Sequence, residues 1–152
     1  MPENILYQEK AKTLLDKESS LFIGYDEVES LSEVTKFRLN EGIVEIVLNK
    51  TPFYAESGGQ IGDKGRFNHP EFVLDVIDVQ KVGLDIVHFC DISDNNINVP
   101  DLLISNNKFD TVINIDRRNQ TRLNHTATHL LHSALKKILG DHIQQAGSLV
   151  TP

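Results

Sequence analysis

The stretch from Thr35 to Leu48, TKFRLNEGIVEIVL, sets the fold class. Thr35, Phe37 and Leu39 alternate with Lys36 and Arg38, and Val44, Ile46 and Leu48 resume the alternation after Asn40-Glu41-Gly42. A period of two on both sides of a glycine-bearing turn predicts an antiparallel hairpin with one face against a core. The pattern continues outward, with strands expected at Leu21 to Tyr25, at Phe72 to Val79 and Leu84 to Ile92 joined by Gly83, and at Thr111 to Ile115. Five or six strands within about seventy residues predict a small barrel or closed sheet. The polar run DNNINVPDLLISNN, Asp94 to Asn107, reads as a connection.

Helical patterns flank the strands. Residues 3–18 carry Ile5, Leu6, Leu14 and Leu15 among helix-forming residues. A second helix is expected from an Asp116 cap to a stop at Gly140. The fold class is therefore α+β, an antiparallel barrel followed by a long helix. The expected divisions are an N-terminal helix at 1–20 that ends an upstream region, a barrel domain at 21–107, and a second unit at 108–152. That second unit reads as cut short at AGSLVTP, where a strand begins.

The 152 residues are 39% hydrophobic and 24% charged, with 9 Gly and 5 Pro, which supports a packed core and excludes disordered and collagenous classes. No apolar run approaches the roughly 18 residues of a membrane span. The N-terminal MPENILYQEKAK lacks an apolar leader and Cys90 is the single cysteine, so a cytoplasmic, reduced setting is expected. A net charge of −7 argues against holding nucleic acid by bulk electrostatics. Between Lys108 and Lys137, however, six basic residues face two acidic ones, a local +4 that leaves −11 elsewhere. Such a segment fits contact with a few phosphates, and equally an ordinary solvated helix face.

Within the second helix, His125, His129 and His132 are spaced by four and three. At 100° per residue they fall within about 60° of one another, while Ala127, Leu130, Leu131, Ala134 and Ile138 gather on the opposite side. Imidazoles at i and i+4 can share a metal such as zinc, but two ligands are half a tetrahedral shell, and a stripe of solvated histidines would look the same. No Glu follows the first His, so the metalloprotease arrangement is absent. Upstream, TPFYAESGGQIGD at 51–63 places Gly58 and Gly59 between Ser57 and Gln60. Adjacent glycines let backbone amides approach an anion or sugar, and serve equally as a plain strand connection. Neither the dinucleotide fingerprint nor the P-loop pattern occurs.

Four segments together, YDEVES at 25–30, TPFYAESGGQIGD at 51–63, NHTATHLLHSAL at 124–135 and QQAGSLV at 144–150, closely resemble the alanyl-tRNA synthetase family. The resemblance covers nearly the whole chain. It points to the translation-protein-like barrel and the start of the editing domain, shared with AlaX-type editing proteins and distantly with threonyl-tRNA synthetase. It implies an aminoacyl-tRNA synthetase segment contributing to hydrolytic editing of Ser-tRNA(Ala) and Gly-tRNA(Ala), with the acceptor end of tRNA(Ala) as partner. ATP and magnesium would serve only the upstream ligase domains.

By match to the family's motifs, His125 and His129 are metal ligands for zinc; Thr128, Gln145 and Gln60 lie at the catalytic site; and Gly58 and Gly59 face the substrate. Arg117, Arg118 and Arg122, from the basic segment, complete the expected substrate and tRNA contacts. The family's second ligand pair, Cys-x-x-x-His, has no counterpart here, and Cys90 is no substitute. Ala146 stands where the family commonly has lysine. The isolated chain is therefore expected to be inactive or nearly so and to leave apolar helix residues open to self-association. A non-catalytic linker or tRNA-binding module is the alternative. An unrelated metallohydrolase would require the loop and the Gly-Ser-Leu-Val segment to match by accident.

Overall fold

The computed structural model describes residues 19–94 and 98–152; the helix expected over 3–18 lies outside them. The Thr35–Leu48 hairpin forms as read, with β2 (Glu29–Asn40) turning into β3 (Ile43–Leu48). Leu39 pairs with Val44 and Asn40 with Ile43, so Glu41 and Gly42 form a two-residue loop at φ 31° and 81°. Those positive angles suit a turn whose twist matches the flanking strands, and glycine meets them without strain.

After β4 (Lys50–Thr51) come β5 (Gly65–Asn68), β6 (Val73–Val82), β7 (Asp85–Asp91) and β8 (Lys108–Ile113). The order β2-β3-β7-β6-β5-β8 closes on itself, antiparallel throughout. Closure depends on the length of β2. Its second half pairs with β3 and its first half with β8, from Glu29↔Val112 to Glu33↔Lys108. The register shifts between Val34 and Lys36, and such a bulge bends a strand as barrel closure requires. Because β8 also pairs with β5, the barrel takes in Lys108–Ile113, beyond the residue 107 at which it was expected to end.

Three further expectations are corrected. The strand at Leu21 to Tyr25 is only β1 (Leu21–Phe22), parallel to β4, because the Ile23 carbonyl accepts from the Asp26 and Glu27 amides and turns the chain. The connection at 94–107 contains α1 (Val99–Ser105), capped by the Asn98 side chain on the Asp101 amide, with Val99 and Leu103 buried one turn apart. The long helix α2 (Ile115–Leu139) is capped by Asn114, whose Oδ1 accepts from the Arg117 amide at 3.0 Å. Asp116 sits in the first turn, where its charge favours the helix dipole. Gly140 ends the helix as expected.

Alternate residues of the strands fill the barrel with Val44, Ile46, Leu48, Phe67, Leu74, Val76, Val79 and Phe109, joined by Phe53. Each such burial contributes about 1.5–3 kcal/mol. His88 is fully buried among them, edge-on to Phe53. Its Nδ1 donates to the Ile46 carbonyl at 2.9 Å and its Nε2 accepts from the Thr51 hydroxyl at 2.7 Å, so the polar groups are satisfied by the neutral ring. Burial accordingly lowers its pKa from 6.5 to about 4.

Candidate functional site

The site is assembled where α2 leaves the barrel. Arg118, in the second turn of α2, is buried: Nε donates to Asp63 at 3.0 Å, Nη1 to the Gly24 carbonyl at 2.7 Å, and Nη2 to Asp63 and the Pro52 carbonyl. Asp63 also accepts the Tyr54 amide at 2.8 Å. Arg118 is thus a structural bolt between helix and barrel, with four of its five N–H donors bonded to Asp63 and two backbone carbonyls inside the protein, a role other than the tRNA contact expected of it. Beyond Thr121, α2 projects from the barrel, with Leu130, Leu131 and Ile138 exposed opposite the histidines.

Counted from Arg118 at 100° per residue, Arg122, His125, His129 and His132 all lie within about 40° of its direction. The bolt therefore fixes which way this stripe faces. His125 and His129 bring their ring centroids to 4.5 Å, and the Nδ1 atom of His125 is buried with no hydrogen-bond partner. Two neighbouring imidazoles with an unspent buried nitrogen fit two positions of a zinc shell. Among the described residues no group of three or more His, Cys, Asp or Glu converges on such a position. Cys90 is buried in the barrel wall, where burial first and Asp75 second hold its thiol protonated.

The glycine loop and the C-terminal tail come together beside this helix. Ser57 and Gln60 exchange backbone hydrogen bonds of 3.1 and 3.0 Å around Gly58 and Gly59, at φ 59° and 81°. The Val150 amide donates to the Gly59 carbonyl at 2.6 Å and the Ile61 amide to the Val150 carbonyl at 3.2 Å, in parallel pairing. A Cβ at Gly59 would collide with the Ser148 carbonyl oxygen, so this approach requires glycine. One residue past Val150, the Thr151 carbonyl accepts from Asn124 Nδ2 at 2.8 Å, immediately before His125 on α2. The tail thus ties the loop to the start of the histidine stripe. Gln145, on the same tail, is exposed and donates to the Ser148 hydroxyl at 2.9 Å.

Thr128 lies between the two histidines, half-buried, with its hydroxyl donating to the Asn124 carbonyl at 2.9 Å. Its oxygen keeps free acceptor capacity. Arg117 is about 100° round the helix from Arg118, half-buried, so it does not share the stripe, whereas Arg122 does. Tyr25 and Tyr54 escaped notice in the sequence. They line a small pocket of about 90 Å³ with Phe22, Gly24, Gln60, Arg118 and Arg122. Their only signal was membership of YDEVES and TPFYAESGGQIGD, since no periodicity marks residues joined by a turn.

Comparison with known proteins places the chain in a family. The family described as "tRNA synthetases class II (A)" matches residues 3–111. Alanine--tRNA ligase of Chlorobaculum tepidum is 44% identical over 86% of this chain and 16% of its own length. That of Thermoanaerobacter sp. is 44% identical over 97% of this chain and 17% of its own length. That of Legionella pneumophila is 55% identical over 69% of this chain and 12% of its own length. The chain spans under one fifth of each of these relatives. It belongs to the class II tRNA synthetases of the alanyl type.

Proposed function

We propose that the chain serves an alanine–tRNA ligase as the segment joining its barrel to an editing site, contributing to hydrolysis of Ser-tRNA(Ala) and Gly-tRNA(Ala). The observation that carries this reading is the tail at 148–151, which holds the Gly58-Gly59-Gln60 loop on one side and Asn124, beside the His pair, on the other. An aminoacyl ester is labile, so its hydrolysis needs placement of ester and water more than a strong nucleophile. The geometry suits placement. The loop presents the exposed Gly58 backbone to a ribose or carbonyl, and Gln60 stands behind it.

Thr128 supplies an acceptor for the seryl hydroxyl, a group that alanine lacks. A site whose polar groups stay unpaired without that hydroxyl rejects the correct product. His125 and His129 would hold zinc as two of its ligands; when bound, zinc polarises oxygen or amine groups of the substrate.

The test is deacylation of Ser-tRNA(Ala) by a ligase carrying this segment, with His125→Ala and His129→Ala. Loss of deacylation with aminoacylation retained is the expected result. Unchanged deacylation in both variants overturns the reading and leaves a non-catalytic module.

A further inference from the structure

The pocket formed by Tyr25, Tyr54, Gln60 and Arg122 carries an inference that rests on the tRNA reading above and sharpens it. Phe22 braces both tyrosines edge-on, with ring centroids 5.0 Å from Tyr25 and 6.1 Å from Tyr54. The Tyr54 hydroxyl donates to the Ser57 carbonyl at 3.2 Å, which fixes that ring to the foot of the glycine loop. Tyr25 is left 79% exposed, a large flat ring held in place but presented to solvent. Of the two guanidinium groups lining the pocket, Arg118 is consumed by Asp63 and two carbonyls, while Arg122 makes no side-chain hydrogen bond or ion pair among the described residues. The pocket's one uncommitted charge is therefore positive, on a chain whose net charge is −7.

Size narrows the ligand. The pocket is a small depression of about 90 Å³ with a guanidinium on its wall, which suits a phosphate group. An exposed tyrosine at its rim offers a stacking face for a base whose phosphate enters below. Position narrows it further. Arg122 precedes His125 by three residues on the same stripe, about 4.5 Å along the helix axis, and Gln60 lines this pocket while also pairing with Val150 in the loop-and-tail contact. A nucleotide seated here lies next to the histidines, not on them.

We infer that Tyr25, Tyr54, Gln60 and Arg122 form a docking ledge for a nucleotide of an unpaired RNA 3′ end, adjacent to the terminal aminoacylated nucleotide. Arg122 and Gln60 take its phosphate, and Tyr25 stacks on its base. The contact is independent of sequence, since every base has a π-face and every nucleotide a phosphate.

The experiment titrates this chain against a fluorescein-labelled single-stranded RNA hexamer at several salt concentrations. Arg122→Gln should weaken binding about tenfold at low salt and lower the salt slope by about one. Tyr25→Ala should weaken it at least fivefold without changing the slope, and Tyr25→Phe should restore it. Lys81→Gln, exposed near the tip of the β6–β7 hairpin and outside the basic segment, should change binding by less than twofold. Thermal midpoints of the Tyr25 and Arg122 variants should match the parent, since both side chains are exposed. Inorganic phosphate at constant ionic strength should not displace the hexamer; displacement would assign the pocket to a free anion and overturn the ledge. Tight binding by the parent with unchanged binding by both variants overturns the ledge and leaves the tRNA reading standing. No binding by the parent overturns both.

Discussion

Arg118 and Asp63, 55 residues apart in sequence, form a buried ion pair that locks the second turn of α2 onto the barrel and so sets the facing of every residue further along the helix. Both side chains are about 95% buried. The pair is completed by the Gly24 and Pro52 carbonyls on the arginine and by the Tyr54 amide on the aspartate. Its energetic value is set less by the attraction than by what removing one partner leaves behind.

Arg118→Met should therefore destabilise the chain by about 3–5 kcal/mol, because Asp63 remains buried without its counter-charge. Adding Asp63→Leu should recover part of that loss despite the orphaned Tyr54 amide. Urea unfolding of the two single variants and the double variant measures this directly. Additive losses would mean the two groups do not act as a pair.

His88 predicts a pH dependence whose sign follows from its lowered pKa. The unfolded chain takes up a proton near the ordinary histidine value of 6.5, whereas the buried ring resists protonation until about 4. Stability from this group is thus complete above pH 6.5 and is lost as pH falls from 6.5 towards 4, by about 3 kcal/mol in all. His88→Gln, which can still bond Thr51 and Ile46, should be less stable at pH 7 but show a shallower loss between pH 7 and 4.5. Parallel curves for the two proteins would assign the acid sensitivity to other groups.

The barrel was legible because its signals are local. Alternation at 35–39 and 44–48, and two-residue turns at Glu41-Gly42 and Gly83, declare strands and hairpins without tertiary information. The split pairing of β2 was not legible, since a bulge at Val34/Lys36 reads in sequence as a continued strand. α1 was hidden because its seven residues sit among Asn and Asp, so Val99 and Leu103 give too short a period to recognise. The histidine stripe could be read from spacing alone. The role of Arg118 could not, because the spacing that puts it on that stripe says nothing of Asp63 waiting in the loop ahead of β5. Ser148 and Val150 likewise meet the glycine loop only through a return of the chain that no periodicity encodes.

The two loop glycines should differ when substituted. Gly58→Ala meets no atom within 4 Å, so it costs only the strain of φ 59°, about 1–2 kcal/mol. Gly59→Ala carries similar strain at φ 81° and also drives a methyl into the Ser148 carbonyl, which must expel the tail from the loop. Hydrogen exchange at the Val150 amide should lose protection in Gly59→Ala and retain it in Gly58→Ala, with barrel amides unchanged in both. Equal effects at Val150 would show that the tail does not depend on this close approach.

Zinc should bind this chain weakly. Among the described residues no third ligand joins His125 and His129, so water would complete the shell and affinity falls well below that of a closed structural site. Elemental analysis after dialysis should find much less than one zinc per chain, and titration should show weak binding that His129→Ala removes. One tightly retained zinc per chain would mean that further ligands exist and that the His pair is not half a site.

Thr128 decides whether the proposed site reads the serine hydroxyl or only supports the helix. Its own hydrogen is already donated to the Asn124 carbonyl, so towards substrate the Thr128 oxygen acts as an acceptor, and the seryl hydroxyl would be the donor. Thr128→Val keeps the shape and removes that acceptor. In a ligase carrying this segment, the variant should lose about 1–3 kcal/mol of preference for Ser-tRNA(Ala) deacylation, with Gly-tRNA(Ala) deacylation and aminoacylation little changed. Glycine is the necessary comparison because it lacks the hydroxyl but shares the ester. Thr128→Ser, which restores an acceptor at the same position, should regain most of the lost preference. Equal loss for both substrates in Thr128→Val would place the residue in support of the helix, since a valine also forfeits the bond to Asn124, and would remove the hydroxyl-reading step from the mechanism.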